Sequence, residues 1–142
     1  MLFLILLVSG CEHLQACKGI NCPSDEEILA QAGAVRLTPN QVKRRVLGNT
    51  EEWIHGGAYY VREGELEVKW RKVRYKGSWE VSDDGTLCYQ LPRWEKRCHF
   101  YMDQEGAVYL LDEGRNIGVS AIYEGNQLRQ LGRPVKTLNE KR

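Results

Sequence analysis

Short apolar runs punctuated by acidic-glycine turns fill the chain from Gly48 onward, and this rhythm restricts the fold more than any other feature. Ala58-Tyr59-Tyr60-Val61 is one apolar run, closed by Glu63-Gly64. Leu66, Val68 and Trp70 then alternate with Glu65, Glu67, Lys69 and Arg71. The phase slips afterwards, because Val73, Tyr75, Gly77, Trp79 and Val81 take the odd positions. A turn or bulge near Arg71-Lys72 accounts for the slip. Asp83-Asp84-Gly85 is a turn signal before Leu87, Tyr89 and Leu91, which share one face. A further strand covers about Arg97 to Met102. Asp103-Gln104-Glu105-Gly106 turns the chain into Ala107 to Leu111, and Asp112-Glu113-Gly114-Arg115-Asn116 turns it into Val119 to Tyr123. Roughly seven strands, recurring every 8–12 residues or so, are an all-β pattern. Connections too short for helices make neighbouring strands antiparallel. The expected fold is mainly β: an antiparallel meander forming a curved sheet or small barrel, with two short N-terminal helices on a face or over one end.

Those helices announce themselves by their caps. Ser24 precedes Asp25, Glu26 and Glu27, a first turn where the helix dipole favours acids, and the helix is expected to reach Ala32. A second helix is expected from Pro39 to Leu47. Thr38 caps it, Pro39 takes the first helical position and Gly48 stops it. Leu37, Val42 and Val46 form its apolar stripe, and Lys43, Arg44 and Arg45 read as solvated surface.

The five cysteines divide into one and four. Cys11 ends Leu7-Val8-Ser9-Gly10-Cys11 after an uncharged apolar run. This resembles a bacterial lipobox, in which the cysteine is lipidated and becomes the first mature residue. The four that remain suit two disulfides in an oxidising compartment. Cys17 and Cys22 enclose a short local loop whose spacing is not that of a zinc knuckle. Cys88 and Cys98 are symmetric about Arg93 and can face each other across a hairpin. Four cysteines allow three connectivities; the favoured one is Cys17–Cys22 with Cys88–Cys98.

Residues 1–10 fit a signal peptide, being too short and apolar a stretch to span a bilayer as a helix. No Lys or Arg precedes the run, which points to a start codon upstream. Residues 11–23 read as a lipid-anchored tether with the small disulfide loop, 24–131 as a single β-rich domain, and 132–142 as a polar tail. The net charge of +1 carries no nucleic-acid signal. Glu12 after the lipid cysteine is not the aspartate of inner-membrane retention. The expected home is therefore a Gram-negative envelope, facing the periplasm, with the outer membrane favoured.

The order of motifs has a counterpart. A capped helix runs into Gly48-Asn49-Thr50. A tyrosine-rich strand follows, then Gly77-Ser78-Trp79-Glu80-Val81, an Asp-Gly turn, Leu87-Cys88-Tyr89 and Cys98-His99-Phe100-Tyr101. From about Leu37 to Tyr123 this resembles the domain-of-unknown-function-995 family of small exported bacterial proteins. The resemblance implies a β-rich exported domain with a paired-cysteine hairpin. It supplies no activity and no catalytic residue.

Signals for chemistry are sparse. His13, His55 and His99 are not spaced as metal ligands. His13 lies in the tether, and His55 precedes Gly56-Gly57, read as a loop. No nucleophile elbow, phosphate loop or dinucleotide fingerprint is present. Cys98 and His99 are adjacent on a strand, so their side chains diverge. The carboxylates read as turn and solvated-face residues. Trp70 and Trp79 fall in apolar phase and read as core. Trp94, beside Arg93 at the tip of the hairpin, is the candidate partner contact, as an exposed Trp next to Arg is a common interface anchor.

The sequence therefore supports a non-enzymatic binding or structural module without a cofactor, held at the membrane by a lipid and meeting an envelope protein or a small apolar ligand. The alternative is a periplasmic inhibitor of a cell-wall hydrolase such as lysozyme, with Arg93 and Trp94 as the inserted loop. An enzyme would need polar groups converging inside the sheet, where the alternation places mostly apolar residues.

Overall fold

The computed structural model describes residues 22–131. Cys11, Cys17, the expected signal peptide and the polar tail lie outside the described residues. So does the Cys17 side of the expected Cys17–Cys22 loop, although Cys22 is itself disulfide-bonded.

Both helices begin at the caps their sequences carry. Helix α1 spans Asp25–Gln31 and helix α2 spans Pro39–Val46, separated by the two-residue strand β1, Val35–Arg36. Ser24 and Thr38 each accept the N3 backbone N–H, and Glu27 and Gln41 answer with their side chains, so each helix starts in a complete capping box.

The remaining strands are β2 (Asn49–Trp53), β3 (Gly56–Arg62), β4 (Glu65–Trp70), β5 (Val73–Val81), β6 (Leu87–Gln90), β7 (Arg97–Gln104), β8 (Ala107–Asp112), β9 (Arg115–Val119) and β10 (Ile122–Glu124). They pair antiparallel in the order β10-β2-β3-β4-β5-β6-β7-β8-β9, with β1 added to β7. The result is a curled half-barrel, as the strand rhythm predicts. The Arg71-Lys72 slip is the β4–β5 turn, with Arg71 left-handed at φ 56°.

Three expectations need correction here. The ten strands exceed the seven expected, because β1 and β2 carry too few apolar residues to stand out. Gly56-Gly57 is strand rather than loop: a side chain at Gly56 would meet the Lys69 carbonyl at 1.8 Å, so bare backbone is what lets β3 and β4 approach. The final expected strand, Val119 to Tyr123, is two strands. Val119 pairs with Tyr109 of β8, whereas Ile122 pairs with Glu51 of β2. Ser120-Ala121 crosses between them and so joins the first and last strands of the curl.

The interior is sorted by strand alternation. On β7, Tyr101 faces the concave core with Val42, Val46, Tyr60, Leu66 and Leu87. Phe100 and Met102 face the other way, against Leu29 of α1, Ala34 and Leu111. Helix α2 thus fills the inside of the curl, while α1 covers the outside of β7 and β8. Trp79 is core as expected, 5% exposed, with its indole N–H shared at 2.9 Å between the Arg62 and Glu65 carbonyls. Thr50 ties down the last segment: its hydroxyl donates to the Gly125 carbonyl and accepts from the Gln127 N–H, which sets Leu128 beneath the sheet.

Cys88 and Cys98 are directly opposite in register and form a disulfide, their Cα atoms 4.0 Å apart.

Candidate functional site

Inside the curl, beside the core that α2 fills, polar groups converge around a buried carboxylate. Glu51 is 1% exposed. Strand β2 turns Thr50 to one side and Glu51 to the other, and both are covered. Trp53 Nε1 donates to Glu51 Oε1 at 3.2 Å, and the Tyr60 hydroxyl lies 3.5 Å from the same oxygen. The Tyr101 hydroxyl donates to Oε2 at 2.6 Å and the Ser120 hydroxyl at 2.9 Å. Four donors, from three strands and the Ser120 crossing, thus occupy the acceptor positions a carboxylate offers. Arg45 stands behind them, donating from Nη2 to both the carbonyl and the hydroxyl of Ser120 at 3.0 Å. Its guanidinium also lies 5.8 Å from the Tyr101 ring centroid.

This arrangement corrects two expectations. Arg45 is half-buried and hydrogen-bonded rather than plain solvated surface. The inside of the sheet is not simply apolar, because Glu51, His99, Tyr60 and Tyr101 meet there.

The hydroxyl proton of Tyr101 goes to Glu51, so the phenol oxygen is left to accept. His99 Nε2, 3.0 Å away, is therefore the donor, which fixes the Nε2–H tautomer. Burial lowers the His99 pKa against the opposing pull of Glu51 and Asp112. The ring is neutral at pH 7, and its 3.8 Å approach to Glu51 is not an ion pair. Burial, then the Glu51 charge, pushes the Tyr60 and Tyr101 hydroxyls well above the usual tyrosine value. His99 Nδ1 keeps its lone pair. It carries no hydrogen bond among the described residues and is not sealed by protein atoms, and the ring lines a cavity.

That cavity measures about 550 Å³. Glu51, His99 and Ser120 line its floor. Trp53, Trp70, Tyr89 and Trp94 form an aromatic wall, and Glu52, Arg97 and Asp112 supply its charged lining. Ile54, Ile117 and Val119 line it too, at 90%, 56% and 62% exposure. The wall is built ring on ring: Trp53 and Tyr89 are 5.2 Å apart, and Trp94 meets Trp70 at 5.9 Å and Tyr75 at 5.5 Å, both edge-on. His55, in the β2–β3 turn, abuts Trp70 at 5.2 Å.

Trp94 is consequently not the exposed tip residue expected. The Gln90 side chain donates to the Leu91 and Trp94 carbonyls and folds the tip back, so that the indole packs inward and half-buried. Arg93 stays exposed there, at φ 65°, beside the exposed Pro92 and Glu95. Trp70, expected in the core, packs half-buried against it and also forms part of the cavity wall. Cys98 and His99 diverge as expected, one exposed and one buried. Among the described residues no group of three or more His, Cys, Asp or Glu side chains is placed to hold a metal ion.

Glu51 is the functional residue that sequence reasoning missed. Glu51-Glu52 reads as a solvated acidic pair. The one available signal was that Glu51 shares strand phase with Trp53, which shows only once β2 is recognised as a strand.

No protein-family model, curated protein or solved structure matches the chain, so the resemblance to the domain-of-unknown-function-995 family rests on its motifs alone.

Proposed function

We propose that this protein is a non-enzymatic binding module of the bacterial envelope, lipid-anchored through Cys11, that holds a small and largely apolar ligand inside its curled sheet. The cavity carries this reading. Its volume of about 550 Å³ lies within the range of small-molecule sites, and an aromatic wall over a few placed polar groups is how such sites are built. The saturation of Glu51 supports a binding role over an acid–base one, since a carboxylate already accepting four hydrogen bonds is an anchor for its neighbours.

The alternative, an inhibitor of a cell-wall hydrolase, is less well supported, because Trp94 is drawn into the wall and, of the two expected contact residues, Arg93 is the one left exposed.

Titration of the full chain with N-phenyl-1-naphthylamine, whose emission rises in apolar surroundings, tests the binding reading. Saturable enhancement that is lost in Trp94→Ala supports it; the absence of any saturable signal overturns it. The anchor is tested separately: Cys11→Ser should leave the membrane fraction, and its retention there would remove the lipoprotein part of the proposal.

A further inference from the structure

The cavity's polar atoms constrain what can enter it. Two donors on the floor, Trp53 Nε1 and the Ser120 hydroxyl, are committed to Glu51. The floor atom left without a partner is His99 Nδ1, an acceptor on a ring that is 6% exposed. An entering group that donates a hydrogen bond would satisfy it; one that only accepts would leave two lone pairs facing each other, at the cost of an unmade hydrogen bond.

The charged lining leans the same way. Glu51 and Asp112 set two acidic residues against Arg97 in the lining, with Glu52 at its exposed edge. The Asp112 carboxylate makes no hydrogen bond or ion pair among the described residues, whereas Glu52 already accepts from the Tyr123 hydroxyl at 2.8 Å. Between floor and rim stands the aromatic wall, built of a residue type whose rings attract cations and stack on apolar bodies.

Resting on the binding reading above, we propose that the cavity selects organic amines: ligands with an apolar or aromatic body against the Trp53–Trp70–Trp94 wall and a protonated nitrogen directed to His99 Nδ1 and the Asp112 carboxylate. An apolar body without the ammonium uses the wall alone. A carboxylate in its place meets acceptors and like charge together.

The test compares three probes of one shape, 4-phenylbutylamine, 4-phenylbutanol and 4-phenylbutyrate, by isothermal titration calorimetry on the full chain at pH 7.5. The amine should bind about 10-fold more tightly than the alcohol, in keeping with a desolvated cation–π contact plus a charge-assisted hydrogen bond. The butyrate should bind weakest. Asp112→Asn should narrow the amine-to-alcohol ratio by roughly 3-fold. Equal binding of amine and alcohol, or tighter binding of the butyrate, overturns the amine assignment and leaves the cavity reading standing. Failure of all three probes, together with no saturable naphthylamine signal, overturns both.

Discussion

The hydroxyl of Tyr101 lies 2.6 Å from Oε2 of Glu51, although fifty positions separate them in the chain. Through that contact strand β7 reaches across the curl to β2, and the Tyr101 hydroxyl oxygen in turn accepts from His99 Nε2. Tyr101→Phe removes one donor from a buried carboxylate and the acceptor of a buried imidazole. We expect a loss of about 1–3 kcal/mol in urea-unfolding stability, the cost of leaving such groups unsatisfied. Unchanged stability would mean that the network does not hold the strands.

Acid should weaken the fold through His99. Its folded pKa lies below that of an ordinary histidine, about 6.5, because burial disfavours the charge. At pH values above that ordinary value neither state holds the proton, and the full contribution is present. As the pH falls through the window from about 6.5 down to the folded pKa, the unfolded chain binds a proton that the folded chain refuses, and stability drops. Urea midpoints at pH 7.5 and pH 5 should therefore fall less in His99→Asn than in the parent chain. Equal falls would place the acid sensitivity elsewhere.

Asp84 should titrate far below its peers. The Ser82 hydroxyl and the Thr86 N–H both donate to its carboxylate, and they lower its pKa to about 2. Carboxyl-carbon NMR should find that midpoint in the parent chain and a higher one in Ser82→Ala. A midpoint near that of free aspartate in the parent would show that the turn does not hold the carboxylate.

Loss of the Cys88–Cys98 bridge in the double serine variant should cost about 2–4 kcal/mol. The bridge sits at the stem of the hairpin that carries Trp94, so probe binding should weaken along with stability. A melting temperature equal to that of the parent would rule out a stabilising role.

Gly56→Ala should be costly out of proportion to one methyl group. Gly56 is opposite Trp53 on one side and Trp70 on the other, and an added Cβ would meet the Lys69 carbonyl at 1.8 Å. Forcing the strands apart should cost about 3 kcal/mol and move the tryptophan emission of the cavity wall. Full stability with unshifted emission would show that the strands yield freely.

The strand rhythm, both capped helices and the 88–98 bridge were legible because each is a local signal, carried by residues a few positions apart. The cavity was not. Trp94 looked exposed between Arg93 and Glu95, and only the Gln90 side chain, four residues away in sequence, turns it inward. Arg45 looked solvated within a basic triplet, and its partner Ser120 is seventy-five residues distant. Glu51 resembled its neighbour Glu52, yet strand alternation buries one and exposes the other. The site is made of long-range meetings, and its members individually look like surface.

Ser120-Ala121 has a consequence for how the protein behaves in company. An open sheet ends in two strands whose unpaired N–H and C=O groups can recruit strands from other chains. Here the same two-residue crossing leads out of β9 and into β10. The Ser120 N–H is taken by Val108, the Ala121 carbonyl by Glu52, and the Asn116 N–H by Asp25 of α1. The crossing thus tethers the two end strands to each other, and on β9, exposed along its whole length, the Asn116 N–H is already taken by the chain's own first helix.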